Sequence, residues 1–192
     1  MLPNAAGLLA LPAILLTTFM AAPGIAEAPS DRQQLETTGL CRGCDLIAAD
    51  FTQQNLRHVD LTNADARSGQ FAGANLNGAV LKAADLSWAS LEEASLRRSD
   101  IRQARLYQAN LSGANLDQAR LQDANMGEAN LSRASLVRAD LRNAFMAGAT
   151  LANADLTQAR LTGALVQPAQ IRNATLCNTV LPNGRVSDRD CD

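Results

Sequence analysis

Four cysteines and a single histidine are the side chains of this sequence that most readily do chemistry. Cys41 and Cys44 form a C-x-x-C pair near one end of the repetitive region, and Cys177 and Cys191 lie near the other end. A C-x-x-C pair is typical of a zinc site, a redox centre or a disulfide. His58 has no cysteines or carboxylates patterned around it, which indicates a surface residue rather than a metal ligand or a base. The choice among these chemistries depends on the elements that position the cysteines.

A repeat of five residues dominates the chain between residues 72 and 161. A large aliphatic residue recurs at every fifth position from Leu76 to Leu161, and an alanine stands two places before nearly every one. A period of five would scatter these residues round a helix and would alternate them between the faces of a continuous strand. The backbone must therefore turn once per pentad. With the large residue at position i, we expect i and i−2 to point inward and i−1, i+1 and i+2 to point outward, in a solenoid.

Residues 109–116 (ANLSGANL) and 154–156 (ADL) resemble the pentapeptide-repeat family, whose consensus is A(D/N)LXX. The resemblance covers about residues 44 to 176. It implies an all-β fold, a right-handed quadrilateral parallel β-helix with four pentads in each coil. With about 4.8 Å between paired strands, about seven coils would form a rod roughly 34 Å long. The segment 35–46, which contains C-x-x-C-D-L, resembles the opening of exported cyanobacterial members.

Residues 1–26 differ sharply from the repeat. The stretch 5–22 carries no charge, and the small residues Gly24 and Ala26 follow it, a pattern that predicts a secretory signal peptide cleaved after Ala26. The alternative is an uncleaved membrane anchor, since the apolar stretch is about long enough to span a bilayer. Cleavage would leave no stable membrane insertion and would place the protein in a periplasm or a thylakoid lumen.

Capping and turn residues predict the bounds of the remaining segments of the chain. Residues 27–40 are a lead-in, in which Ser30 and Gln33 form a capping-box pattern that predicts a short capping helix from residue 31 to 37. Residues 41–181 are the predicted β-helix, with Phe51 and Phe71 one coil apart on one face. The turn signal at residues 182–184 predicts that residues 182–192 form a capping tail over the last coil.

The rod-like fold and the predicted export limit the roles that the four cysteines can have. A zinc site with four cysteines would require both ends of the rod to meet, and a redox pair usually needs a thioredoxin-like unit that this chain does not resemble. In an exported protein we expect disulfides, Cys177–Cys191 and Cys41–Cys44. Cys44 occupies an inward i−2 position, so a small buried thiol in place of alanine is the alternative there.

Catalysis is not expected from the remaining residues. The sequence has no Gly-rich phosphate loop and no pattern of paired carboxylates, and a rod with a filled interior offers no pocket. We therefore predict no enzyme activity, no metal site and no cofactor.

The outward positions predict an interaction surface. Phe145 and Leu165 are outward i−1 residues one coil apart, with Tyr107 and Trp88 on or next to the same side. Exposed apolar residues on one face indicate a contact surface, either in a homodimer or for another protein. Packing beneath a terminal segment is the alternative interpretation.

A second outward region is rich in charge. One column alternates in sign, at Asp100, Arg120, Asp140 and Arg160. Beside it lies a predicted basic edge, composed of Arg98, Arg102, Arg138 and Arg142. The edge could meet an anionic partner, whereas the simpler interpretation is a solvated face with weak ion pairs.

The overall charge bears on the class of function. Some pentapeptide-repeat proteins inhibit or protect DNA gyrase with a strongly acidic rod that imitates duplex DNA. Residues 41–181 contain 14 Lys and Arg against 13 Asp and Glu, so this rod is not acidic, and a neutral domain without interleaved aromatics does not favour nucleic-acid binding. The sequence predicts a non-catalytic, exported structural or protein-interaction module of unknown partner; the alternative is a cytoplasmic regulator of the gyrase-inhibitor type.

Overall fold

Parallel bridges between residues 20 apart organise most of this chain. In the computed structural model, which describes residues 30–191, these bridges run from Leu40↔Asp60 to Arg160↔Val180. Because a turn recurs in each pentad, a bridge spacing of 20 residues places four pentads in one coil. The coils stack on one another as a β-solenoid, so each coil buries its apolar side chains against its neighbours.

The interior of the solenoid is filled by the residues at positions i and i−2. Leu116 and Ala114 are both fully buried, and the same holds for nearly every pentad from Leu61 to Leu161. Burial of one leucine side chain contributes roughly 1.5–3 kcal/mol, so the repeated leucines supply most of the stabilisation. The small alanines let the backbone of each coil close tightly round them.

Most backbone N–H groups of a pentad donate hydrogen bonds to carbonyls of the neighbouring coils. In the pentad that begins at Leu61, the N–H groups of Leu61 and Asn63 donate to carbonyls of the next coil, at 2.8 and 3.0 Å. The N–H of Asp65 donates to the previous coil at 2.9 Å, and the N–H of Ala64 closes the turn on the Leu61 carbonyl at 3.0 Å. In this pentad the N–H of Thr62, at position i+1, is the one left without a backbone acceptor.

Where position i−1 is Asp or Asn, its side chain accepts this remaining N–H in most of the described pentads. Asp60 Oδ1 accepts from the N–H of Thr62 at 3.0 Å, and Asn115 Oδ1 accepts from that of Asp117 at 3.0 Å. Asp and Asn are the residues whose short side chains reach the backbone two positions on. An Asp or Asn at position i−1 therefore completes the hydrogen bonding of its corner.

Each corner also contains a residue in the left-handed region. The residue at i+2 has a positive φ, as in His58 and Trp88, both at 59°. This conformation costs a side chain about 1–2 kcal/mol, and the coil-to-coil hydrogen bonds of the same pentad offset the cost. Its side chain projects away from the filled interior, so i+1 and i+2 carry the groups that a partner would meet.

Helix α1 (Asp31–Thr38) packs against the first coil. A capping box at Ser30 begins the helix, and Gly39, with a φ of 69°, ends it. Leu35 is buried in the same core as the repeats, and the Arg32 guanidinium carbon lies 5.4 Å from the centre of the Phe51 ring. Asp31 Oδ2 accepts from the N–H of Asp45 at 2.6 Å, which fixes the helix to the coil.

Two phenylalanines replace the usual leucines above this helix. The rings of Phe51 and Phe71 stack with their centroids 5.2 Å apart, and both are fully buried. Their neighbours are unusually small, because Ala66 and Gly69 stand where a leucine and an alanine are expected. A side-chain carbon at Gly69 would lie 2.7 Å from Phe71 Cε2. Phe71 thus fills the volume that these two residues leave.

The regular pairing ends before the last coil is complete. Thr150 pairs with Asn130 of the coil before it, but within residues 30–191 no bridge joins it to a residue of the next coil. The side chain of Gln170 donates instead to the carbonyls of Met146 and Ala149, at 2.9 and 2.6 Å. Pro168 in this segment has no N–H to give to a ladder, which accounts for the departure from the repeat.

The chain ends in a short antiparallel hairpin that folds back on the last coil. Strand β1 (Thr179–Val180) pairs with strand β2 (Val186–Ser187). Asp190 Oδ2 accepts from the N–H of Leu176 at 2.8 Å, and Arg189 donates to the Ala174 carbonyl. The residues after 181 are therefore tied to the coil beneath them.

The predicted signal peptide, residues 1–26, lies outside the described residues. Within residues 30–191, no helix is long and apolar enough to cross a membrane.

Candidate functional site

An apolar strip runs along one side of the solenoid. We define it by Trp88, Tyr107, Phe145 and Leu165. The exposed fractions of Trp88, Phe145 and Leu165 are 51%, 42% and 62%, and Tyr107 is half-buried. Trp88 and Tyr107 meet edge to face at 6.1 Å, and Phe145 bridges directly to Leu165. The four residues that the sequence analysis singled out are thus brought together on one side.

Gly127 joins the two halves of the strip, and the sequence analysis missed it. It lies one coil above Tyr107 at the same corner. A side-chain carbon at Gly127 would lie 3.0 Å from Phe145 Cε1 and 3.3 Å from Tyr107 Cδ2, so the missing side chain lets both rings cover it. The signal was present in the sequence as a glycine 20 residues after Tyr107.

A chain of hydrogen bonds holds the aromatic rings of the strip in place. Trp88 Nε1 donates to Gln108 Oε1 at 2.7 Å, and Gln108 Nε2 donates to Glu128 Oε2 at 2.7 Å. The Tyr107 hydroxyl donates to the other oxygen of Glu128 at 3.0 Å. Rings that are already ordered lose less conformational freedom when a partner binds.

These bonds also shift two ionisable groups. The hydrogen bonds from Gln108 and then from Tyr107 lower the pKa of Glu128, because both stabilise its charged form. The same bond to Glu128 raises the pKa of Tyr107. Near neutral pH the pair is therefore a carboxylate and a phenol, the states that the hydrogen bond requires.

The predicted basic edge is partly neutralised in the structure. Arg102 and Arg142 each form two hydrogen bonds with a carboxylate two residues earlier, Asp100 and Asp140, at 2.6–2.8 Å. The other two arginines bond glutamines of the next coil, Arg98 to Gln118 at 3.2 Å and Arg138 to Gln158 at 2.6 Å. The edge therefore presents two unneutralised guanidinium groups, at positions 98 and 138.

The paired carboxylates titrate below their ordinary range. Partial burial raises the pKa of Asp100, but the hydrogen bonds from Arg102 outweigh this effect, so the net shift is downward. Asp140 and Arg142 show the same balance. These carboxylates remain charged through the neutral range.

All four cysteines are paired in the structure. One disulfide joins Cys41 to Cys44, and the other joins Cys177 to Cys191 across a separation of 14 residues. Both pairs are those expected from the sequence, and the pairing supersedes the buried-thiol alternative for Cys44. No group of three or more metal-ligating side chains occurs in the part of the chain that the structure describes.

His58 is exposed at a corner, as expected, but it does not stand alone. It lines a surface recess of about 300 Å³ together with Arg57, Asn77, Gly78, Arg97 and Arg98. The prediction that the rod offers no pocket is therefore wrong for its outer surface. The filled interior leaves no cavity here; the recess arises because side chains of three stacked corners surround a glycine.

Comparison with protein families identifies the repeat. A model described as pentapeptide repeats matches eight copies, at residues 44–82, 79–118, 114–151 and 129–167. The chain belongs to the pentapeptide repeat family. Pentapeptide repeat proteins adopt a right-handed β-helix, which confirms that part of the predicted fold. Members of the family are generally structural or interaction modules rather than enzymes.

Solved structures of other pentapeptide repeat proteins resemble this chain. HetL from the cyanobacterium Nostoc sp., involved in heterocyst differentiation regulation, is 28% identical over 77% of this chain and 83% of its own, with a TM-score of 0.33. A pentapeptide repeat protein from the Arabidopsis thaliana thylakoid lumen is 28% identical over 71% of this chain and 75% of its own, with a TM-score of 0.25. QnrB1, a plasmid-mediated fluoroquinolone resistance protein, is 21% identical over 78% and 77%, with a TM-score of 0.30. A search of curated proteins found no match.

Proposed function

We propose that this protein is an exported, non-catalytic pentapeptide-repeat rod that acts as a structural or protein-interaction module, with the apolar strip as its contact surface. The observation that carries the proposal is the strip itself. Three of the six exposed large hydrophobic residues of the described chain lie within it. Large apolar residues gathered on one rigid side are a feature of protein contact surfaces.

A second copy of the chain is the occupant that we propose for the strip. The strip runs along a rod, so a twofold axis would set the strip of one copy against that of the other. The same side carries charges of both signs, Arg105 and Glu128, which can face each other across such an axis. Trp and Tyr are enriched among the residues that contribute most to binding at interfaces.

Replacement of Phe145 and Leu165 by serine tests this surface. We expect Phe145→Ser with Leu165→Ser to weaken self-association by about thirtyfold, since residues that dominate an interface contribute about 2 kcal/mol or more. Sedimentation equilibrium over a range of concentrations measures the change. The fold should be retained, because both side chains lie outside the core.

The matched control is Leu40→Ser with Val186→Ser, which removes two other exposed apolar side chains that do not belong to the strip. The control should dimerise like the wild type. A wild-type protein that stays monomeric at every concentration would exclude a second copy as the occupant. In that case the strip could be a contact surface only for a different protein. Such a protein would have to be captured by the wild type and the control but not by the strip variant.

Export is the other part of the proposal. It is supported by the apolar segment before residue 27 and by the two disulfides, which persist in oxidising compartments. We expect terminal sequencing of the native protein, recovered from the periplasmic or lumenal fraction, to begin at Glu27. An intact Met1 in the membrane fraction would mean an anchored rod. An intact chain in the cytoplasm would favour the gyrase-regulator alternative, against which the near-neutral rod now argues.

We also propose about seven coils for the rod, with α1 and the C-terminal tail as its caps. The bridges from residue 40 to residue 180 support this count, at 20 residues a coil. Caps cover the unpaired backbone groups at the two ends, which would otherwise pair with other chains.

A further inference from the structure

A cluster of positive side chains surrounds the recess at one corner of the rod. The lining residues occupy positions i+1 and i+2 of three stacked corners, 57–58, 77–78 and 97–98. Their spacing of 20 residues places them above one another although they are distant in the chain. The recess is half a coil away from the corner that carries Trp88 and Gln108, so it faces the opposite direction from the apolar strip.

Gly78 makes the recess possible. It has a φ of 68°, and a side-chain carbon there would lie 2.6 Å from His58 Nδ1 and 2.8 Å from His58 Cε1. The absence of a side chain at the middle corner therefore lets the His58 ring lie over Gly78, and the ring and this backbone form the floor of the recess. Arginines of the corners on either side, Arg57 below and Arg97 and Arg98 above, line the same space.

The cluster has more positive charge than its surroundings neutralise. Among residues 30–191, neither Arg57 nor Arg98 has a carboxylate within 4.0 Å. Arg97 Nε lies 3.8 Å from Asp117 Oδ2, and this carboxylate also accepts a hydrogen bond from Ser135 Oγ. Three guanidinium groups thus face one carboxylate, in a rod that is otherwise close to neutral.

The backbone of the cluster is fixed, and donors remain free to bind a ligand. Asn77 Oδ1 accepts from the N–H of Arg97 at 2.9 Å and from Ser95 Oγ at 2.8 Å. Its oxygen is therefore occupied, and the amide NH₂ of Asn77 is the polar group left to face outward. Each guanidinium carries five N–H donors in a planar fork that matches the oxygens of a phosphate in pairs.

We propose that this recess is a binding site for a phosphate group, with Arg57 and Arg98 as its principal ligands and Arg97, Asn77 and His58 at its rim. Two unneutralised guanidinium groups match the charge of a phosphate dianion, and the recess is open enough to admit a phosphate on a larger molecule. The phosphate can come from a soluble ester or from a lipid headgroup, since both present the same oxygens. The site does not depend on the apolar strip or on its partner.

Binding is tested with the full chain and two probes at constant ionic strength, because exposed charges are screened by salt. The first probe is inorganic phosphate, followed by calorimetry against chloride. The second is vesicles of phosphatidylcholine and phosphatidic acid in equal parts, compared with vesicles of phosphatidylcholine alone. We expect Arg57→Gln with Arg98→Gln to weaken binding by about tenfold or more, since hydrogen bonds to charged groups are the strong ones.

The control Arg133→Gln with Arg172→Gln removes the same charge from exposed positions elsewhere and should bind like the wild type. Gly78→Asn fills the floor without altering charge and displaces the exposed His58 ring, from which the new side-chain carbon would lie 2.6 Å. Asn63 and Asn143 already adopt this positive φ at equivalent corners, so the coil should keep its backbone conformation while binding weakens. Binding of free phosphate supports a soluble ligand, and binding of phosphatidic acid vesicles alone supports a lipid. Failure to bind either probe, or equal losses in the variant and the control, would overturn the proposal.

Discussion

Phe71→Ala is expected to lower the free energy of unfolding by about 3–5 kcal/mol, the cost typical of removing a buried aromatic ring. Phe71 is fully buried and stacks on Phe51 at 5.2 Å. Its neighbours Ala66 and Gly69 are too small to fill the space that the ring would leave. Urea unfolding followed by circular dichroism measures the change.

Two further variants serve as a control and as a rescue for this prediction. Phe145→Ala removes the same ring from the exposed strip and should change the free energy of unfolding by no more than about 0.5 kcal/mol. Phe71→Leu combined with Ala66→Leu and Gly69→Ala restores the consensus side chains of two pentads, so it should recover most of the stability lost in Phe71→Ala. A loss below about 1 kcal/mol for Phe71→Ala would show that the ring does not fill this part of the core.

Cys177→Ser with Cys191→Ser is expected to lower the free energy of unfolding by about 3 kcal/mol, since a disulfide that closes a loop of this length restricts the unfolded chain by that amount. The disulfide spans 14 residues and encloses β1 and β2. Its loss should also free the tail from the last coil, where Asp190 holds the N–H of Leu176. Urea unfolding and limited proteolysis of residues 182–192 are the measurements.

The proteolysis result shows whether the disulfide holds the tail on the last coil or whether the hairpin and Asp190 do so without it. If the disulfide acts on the tail, the variant should lose residues 182–192 rapidly while the coils up to residue 165 stay resistant. Asp190→Asn, which weakens the contact with Leu176 but keeps the disulfide, serves as the matched control and should be cut more slowly. An unchanged rate of tail cleavage in the serine variant would mean that the hairpin and Asp190 hold the tail without the disulfide.

The rod presents two unlike surfaces on opposite corners. The apolar strip includes Trp88 and Tyr107, and the recess includes Arg57 and Arg98, with half a coil between the two columns. A module that bridges a protein and a phosphate-bearing ligand would need this separation, because each ligand could then bind without displacing the other. The two tests are independent, since the variants of one surface leave the other intact.

Much of the structure could be predicted because the repeat is local. Leucine at i and alanine at i−2 are buried, as the period of five indicated, and the capping box at Ser30 begins a helix that reaches Thr38, one residue beyond the predicted end. The polar residue at i−1 was expected to point outward. It also accepts the N–H at i+1, a role that appears once every backbone N–H of the pentad has been assigned.

Other features depend on residues that meet only after folding. Arg102 was predicted to belong to a basic edge, whereas Asp100 binds it through two hydrogen bonds. His58 was treated as an isolated surface residue, yet it shares a recess with arginines 40 residues away. Neither outcome follows from residue type, because each depends on side-chain directions at the corners.

The period of five, the inward and outward positions, the family and the expected pairs of cysteines could all be inferred from the order of residues alone. These features arise within a pentad or between residues near one end of the rod, so their physical causes are local. Which outward residues act together became evident only from the folded coils: Gly127 under Phe145 and Tyr107, Glu128 between Gln108 and Tyr107, and Gly78 beneath His58. The reason is the spacing of 20 residues between stacked corners, which turns distant positions into neighbours once the coils have formed.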